Sequence, residues 1–173
     1  MPEERADHPE RPDHPERPVL KRTARAILLD ASRRLILIKR TKPGLPPYWI
    51  TPGGGVEPGV DATVVDALHR EVAEELGAKV TDVVPAFVDT VSDPEETPGG
   101  VKVQHFFVCR LAAMDPGLRH GPEVEEPVGE YEIVRIPFSR EGLASVEVVP
   151  PSLRAYLAAN IEGVRALLAP DLG

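Results

Sequence analysis

The stretch GGGVEPGVDATVVDALHREVAEELGA, from Gly53 to Ala78, constrains the fold of this chain more than any other segment. Three consecutive glycines remove side-chain obstruction, so the backbone can turn with positive φ, approach a phosphate or offer a carbonyl to a cation. The residues beyond the glycines predict a helix. At about 100° per residue, Val64, Leu68, Val72 and Leu76 form one apolar stripe, and Glu71, Glu74 and Glu75 share an arc that begins at its edge. The stripe has to be buried against another layer, which leaves three carboxylates beside the core.

Clustered carboxylates resist joint ionisation and lose hydration. A hard divalent cation offsets both costs, and Mg²⁺ or Mn²⁺ suits an all-oxygen site with positions left for a phosphate. The alternative is a solvated acidic helix face.

The chain resembles the Nudix hydrolase family at this segment. PGGGVEPG followed by REVAEELGA is similar to the family pattern of a glycine, five residues, Glu, seven residues, then Arg-Glu-apolar-x-Glu-Glu-x-Gly-apolar. Arg70, Glu71, Val72, Glu74, Glu75, Gly77 and Ala78 match its second half. In the first half, anchored on Gly54 and Gly59, the expected Glu falls on Val60, and the distance from Gly59 to Arg70 is two residues longer than in the pattern. Asp61 is then expected either to supply the missing acid or to cap the helix.

The resemblance implies that Glu71, Glu74 and Glu75 bind divalent metal together with the Gly54 carbonyl. It also implies a catalytic set of Glu74, Glu71 and Arg70, with the arginine orienting a glutamate. Elementary geometry agrees, since Glu71 and Glu75 lie one helical turn apart and Arg70 can hold a neighbouring carboxylate by charge-assisted hydrogen bonds.

The rest of the chain reads as strands around this helix. TARAILLD and RLILIKR predict a hairpin, and Tyr48 to Ile50 a short strand. KVTDVVPAFVDTV predicts one or two strands. VKVQHFFVCRL alternates over its whole length, with Val101, Val103, His105, Phe107, Cys109 and Leu111 on one face, as a central strand does. YEIVRIPF predicts another strand, and residues 152–168 a final amphipathic helix. The fold class expected is α/β (α+β), and the resemblance implies a Nudix-like α/β/α sandwich with a mixed central sheet.

Outside the central segment, Arg40 at a strand end and Arg135 are candidates to grip a substrate phosphate. Trp49 can stack on a base or fill the core. The resemblance adds a late-loop glutamate as base, with Glu123, Glu125, Glu126 and Glu130 available. Specificity is expected in the loops 41–47, 92–100 and 115–132.

A formal charge of −8 over 173 residues argues against duplex nucleic acid or an anionic membrane as partner. Cys109 is the only cysteine, which excludes an intrachain disulfide framework. No apolar run approaches a membrane span or a signal core, so a cytoplasmic protein is expected. Residues 1–21, with DHPERP repeated in tandem, predict an extended or disordered proline-rich arm that could cross a homodimer interface, and residues 22–173 the catalytic domain.

These readings converge on a Mg²⁺-dependent pyrophosphohydrolase acting on a small nucleoside diphosphate derivative, such as a nucleotide sugar, ADP-ribose or a nucleoside triphosphate. The alternative, motivated by Val60, is a nucleotide-binding sensor with little turnover. A related isomerase would need a reactive thiol, for which Cys109 is the only candidate.

Overall fold

The computed structural model describes residues 16–169. The expected proline-rich arm therefore lies mostly outside the described residues.

Four strands open the chain: β1 (Val19–Leu29), β2 (Arg34–Thr41), β3 (Tyr48–Ile50) and β4 (Gly53–Gly55). The hairpin pairs Leu28 with Ile36 and Leu29 with Leu35. The Asp30 carboxylate closes its turn by accepting from the Ser32 and Arg34 amides, each at 2.9 Å. The glycine run is a strand, pairing antiparallel with residues 23–25 of β1, so it is anchored along its length.

Helix α1 (Val64–Leu76) comes next, then β5 (Ala78–Val91) and β6 (Val101–Met114). KVTDVVPAFVDTV is thus one long strand, with register shifts against β6 at residues 79–87. Strand β6 also pairs parallel to β1. After a short 3₁₀ turn come α2 (Pro122–Glu125), β7 (Glu130–Pro137), α3 (Arg140–Ala144), α4 (Pro151–Ala159) and α5 (Ile161–Leu167).

The sheet is mixed and seven-stranded, in the order β3-β2-β1-β6-β5, with β4 on β1 and β7 on β2. Its alternation splits the core in two. Ala24, Ala26, Leu28, Ile36, Ile38, Phe107 and Cys109 pack on the stripe of α1, where Leu68, Val72 and Leu76 are fully buried. Ile27, Leu29, Leu35, Leu37, Phe106 and Val108 face the helices α3 to α5. This is the layered sandwich that the Nudix resemblance implies.

The final helix departs from its expected form. Leu153, Leu157, Ile161, Val164 and Leu168 are all buried in the second cluster, so the apolar face is as read. The chain nonetheless breaks at Asn160, which lies outside helical geometry at φ −130° and ψ 31°. Its side-chain amide donates to the Tyr156 carbonyl at 2.8 Å, a local bond that competes with continuing the helix. Trp49, partly buried, packs against this same cluster.

Candidate active site

Helix α1 starts at Thr63. The Thr63 hydroxyl accepts from the Asp66 amide and the Asp66 carboxylate accepts from the Thr63 amide, both at 3.1 Å, a capping box that satisfies two backbone donors. Capping by Asp61 is thereby corrected: the hydroxyl two residues later has the geometry for that bond.

Asp61 turns to Arg70 instead. Its carboxylate accepts from Nε at 2.9 Å and Nη2 at 2.8 Å of the guanidinium, and also from the Glu57 amide at 2.8 Å. The fork-on-fork bond with Arg70 is the largest influence on Asp61 and holds its pKa below the usual value; the same bond raises that of Arg70. Arg70 spends its remaining donors on the Gly55 carbonyl at 2.9 Å and Glu71 at 3.0 Å, with Glu74 at 3.5 Å. Asp61, Arg70 and Glu71 form one chain of restraint.

The helix ends at Gly77, whose left-handed φ of 61° lets its amide bond to the Val72 and Ala73 carbonyls. A Cβ there would lie 1.9 Å from the Asp115 carbonyl oxygen. Just before it, the Glu75 carbonyl accepts from Arg119 Nε at 2.7 Å, a cation suited to the negative end of a helix.

Glu71, Glu74 and Glu75 converge on a cavity of about 300 Å³ that is also lined by Gly53, Gly54, Gly55, Glu57, Arg25, Arg40, His120 and Glu123. Glu75 is 8% exposed and accepts from the Gly53 amide at 2.8 Å. Burial pushes its pKa up to about 8, against that bond and the charge of Arg25. Burial likewise raises Glu71, against the pull of Arg70. Gly54 lies against Glu71: a Cβ on it would fall 2.6 Å from the carboxyl group, so a side chain there would push that acid out of its place. Arg25 donates to the Gly53 carbonyl at 3.0 Å and the Thr51 carbonyl at 3.3 Å.

Among the described residues no three acidic, His or Cys side chains are gathered closely enough to form a ready cage for an ion. Glu71 and Glu75 are turned to Arg70 and the Gly53 amide. The donor chemistry nevertheless fits a hard divalent cation: Glu57, Glu71, Glu74, Glu75 and Glu123 line one space with glycine backbone, and a charged Glu75 at that depth lacks a full countercharge.

Arg40 reaches this cavity, whereas Trp49 and Arg135 are not among its lining residues. Arg135 donates to Asp30 at 2.9 Å, and Asp30 lines a separate cavity of about 430 Å³ with Arg33, Arg110 and Leu168. Of the late-loop glutamates only Glu123 lines the carboxylate cavity; neither 41–47 nor 92–100 contributes a lining residue. Cys109 is fully buried and its thiol is pushed up to about 12 by burial, which leaves it unsuited to nucleophilic chemistry.

The sequence reading missed Arg25, Glu57 and His120. An arginine inside the apolar run TARAILLD was a signal for the first. His120 sits in an irregular loop with no such signal; its Nδ1 donates to the Leu118 carbonyl at 3.1 Å, which leaves Nε2 as the acceptor when the ring is neutral.

A sequence profile described as the NUDIX domain matches residues 19–137. The fold is similar to that of a NUDIX hydrolase from Nitrosomonas europaea, with a TM-score of 0.62 and 19% identity over 88% of this chain and 93% of that one. It is also similar to a MutT NUDIX hydrolase from Burkholderia pseudomallei, with a TM-score of 0.56 and 22% identity over 79% of this chain and 95% of that one. A sequence comparison with curated proteins found no match. With its glycine strand and REVAEELGA helix facing one cavity, the chain belongs to the Nudix family of hydrolases, which act on phosphorus-containing anhydrides.

Proposed function

We propose that the protein is a Mg²⁺- or Mn²⁺-dependent pyrophosphohydrolase that cleaves the diphosphate linkage of a nucleoside diphosphate derivative: a nucleotide sugar, ADP-ribose or a nucleoside triphosphate. The observation that carries this reading is the meeting, in one cavity, of the α1 carboxylates, the glycine strand and two arginines, Arg25 and Arg40.

Glu71, Glu74 and Glu75, with the Gly54 carbonyl, would hold the cation, which supplies neutralisation of phosphate oxygens and a water of lowered pKa. The protein does the rest. Asp61 and Arg70 fix Glu71, Arg40 receives phosphate oxygens, and Glu71 or Glu74 accepts the proton of the attacking water. One P–O bond of the anhydride breaks as water adds to phosphorus, so two phosphorylated fragments leave.

The grip of Asp61 on Arg70 weakens the sensor reading, because it restores an acid to the box despite Val60. The test is a hydrolysis panel of the named substrate classes with Mg²⁺ or Mn²⁺, products identified by mass spectrometry, beside Glu75→Gln. Two phosphorylated products from at least one class, lost in Glu75→Gln, are expected; undiminished turnover by that variant would refute the assignment of Glu75.

A further inference from the structure

Arg40 is buried yet imperfectly matched. Its side chain is 8% exposed, and among the described residues its Nε has no hydrogen-bond partner. Nη2 donates to the Val128 carbonyl at 2.7 Å, and the guanidinium carbon lies 5.4 Å from the Tyr131 ring centroid. Tyr131 also meets Arg119, 4.1 Å from the ring centroid, which is itself bonded to the end of α1. Arg40 is therefore held rigidly by backbone and ring.

Among the described residues its charge is paired with one carboxylate. Glu123 Oε2 lies 3.4 Å from Arg40 Nη1, and the Glu123 side chain is 45% exposed. Glu123 belongs to the four-residue helix α2, in a segment whose neighbours touch α1: the His120 amide donates to the Glu74 carbonyl at 2.9 Å. The pair thus joins a fixed, desolvated guanidinium to a half-solvated carboxylate, inside the cavity of the α1 acids. A carboxylate and a phosphate present similar oxygen pairs to a guanidinium fork.

We propose that Glu123 is a resident stand-in for substrate phosphate. It neutralises Arg40 in the free enzyme and is displaced when an anionic phosphate oxygen of the diphosphate takes its place. Arg40 is then the phosphate-anchoring residue, and Glu123 sets how strongly a ligand must compete for it. A ligand without an anionic phosphate leaves the pair closed, so the pair selects for charge as well as shape. The inference rests on the pyrophosphohydrolase reading, because it requires a diphosphate in this cavity.

The probe is methylenediphosphonate, a diphosphate whose bridging carbon blocks hydrolysis, titrated calorimetrically into the full chain with excess Mg²⁺. Glu123→Gln removes the competitor and is expected to tighten binding about 5-fold, the equivalent of one exposed ion pair. Arg40→Gln is expected to weaken binding roughly 10- to 100-fold, as losing a hydrogen bond to a charged group does. Arg40→Lys keeps the charge without the fork and is the control should Arg40→Gln fold poorly; it is expected to weaken binding less. In Arg40→Gln, Glu123→Gln should no longer tighten binding; in Arg40→Lys, which keeps a cation for Glu123 to neutralise, its gain should shrink to less than about 5-fold.

Two results overturn the inference alone: binding insensitive to Arg40, or a gain from Glu123→Gln that persists undiminished in the Arg40 variants, which would reflect general repulsion in an acidic cavity. Absence of binding to the unmodified protein would overturn the pyrophosphohydrolase reading as well.

Discussion

At the residue scale Glu75, inside the acidic helix, and Asp61, ahead of it, have different roles. Glu75 is placed where its charge is costly, since burial pushes its pKa up to about 8. Its neutral isostere can still accept from the Gly53 amide. In metal-free protein Glu75→Gln is therefore expected to match or exceed the parent in urea-denaturation midpoint at pH 7, while turnover falls by at least the roughly 10–100-fold typical of losing a partner around a metal site. A large loss of stability would show that Glu75 is a structural residue. Asp61 acts at one remove. Asp61→Asn keeps the size but loses the charge that fixes Arg70, so kcat is expected to drop about 10-fold or more with KM little changed. Restored kcat in Asp61→Glu would separate a positioning role from general destabilisation.

At the element scale α1 is delimited by local chemistry at both ends and positioned by its stripe. Thr63 and Asp66 close the first turn, so Thr63→Ala is expected to cost about 1 kcal/mol in chemical denaturation, with Asp61 and its pairing to Arg70 left in place. The helix and its stripe are properties of neighbouring residues and were legible from spacing. The N-cap was not, because Asp61 and Thr63 are both competent capping residues, and only the position of Arg70 decides which is drawn away. The break at Asn160 was equally hidden: the apolar period runs unbroken across it, and the period reports which face is buried, not whether the backbone is continuous.

At the scale of the whole molecule, the segment 92–100 is fastened to the sheet rather than to the cavity. Glu96 joins Lys21 of β1 and Lys102 of β6, each at 2.7 Å. The two ammonium groups, Lys102 first, lower its pKa from 4.5 to about 2. A carboxylate depressed in the folded state stabilises above its unfolded pKa and loses that contribution as the pH falls through the folded value. The window here runs from about 4.5 down to 2. Glu96→Gln is expected to cost about 0.5–1 kcal/mol at pH 7 and close to nothing at pH 2, as read from paired denaturation curves; an equal cost at both pH values would show that packing, not charge, is responsible.

The sequence by itself determined the layers and the carboxylate helix. The stripe of α1, the alternation of β6 and the order Arg70 to Ala78 are local periodicities, and each side chain's face is set by its number in the chain. Only the tertiary structure decided the company those carboxylates keep. Arg25 from β1, Arg40 from β2, and His120 and Glu123 from the late loop meet α1 because sheet pairing and loop closure bring distant segments together. Arg135 and Trp49, equally plausible by residue type, are carried to other partners. A residue's type determines what it can bind, but long-range pairing determines what it meets, and that contact is written in no single segment.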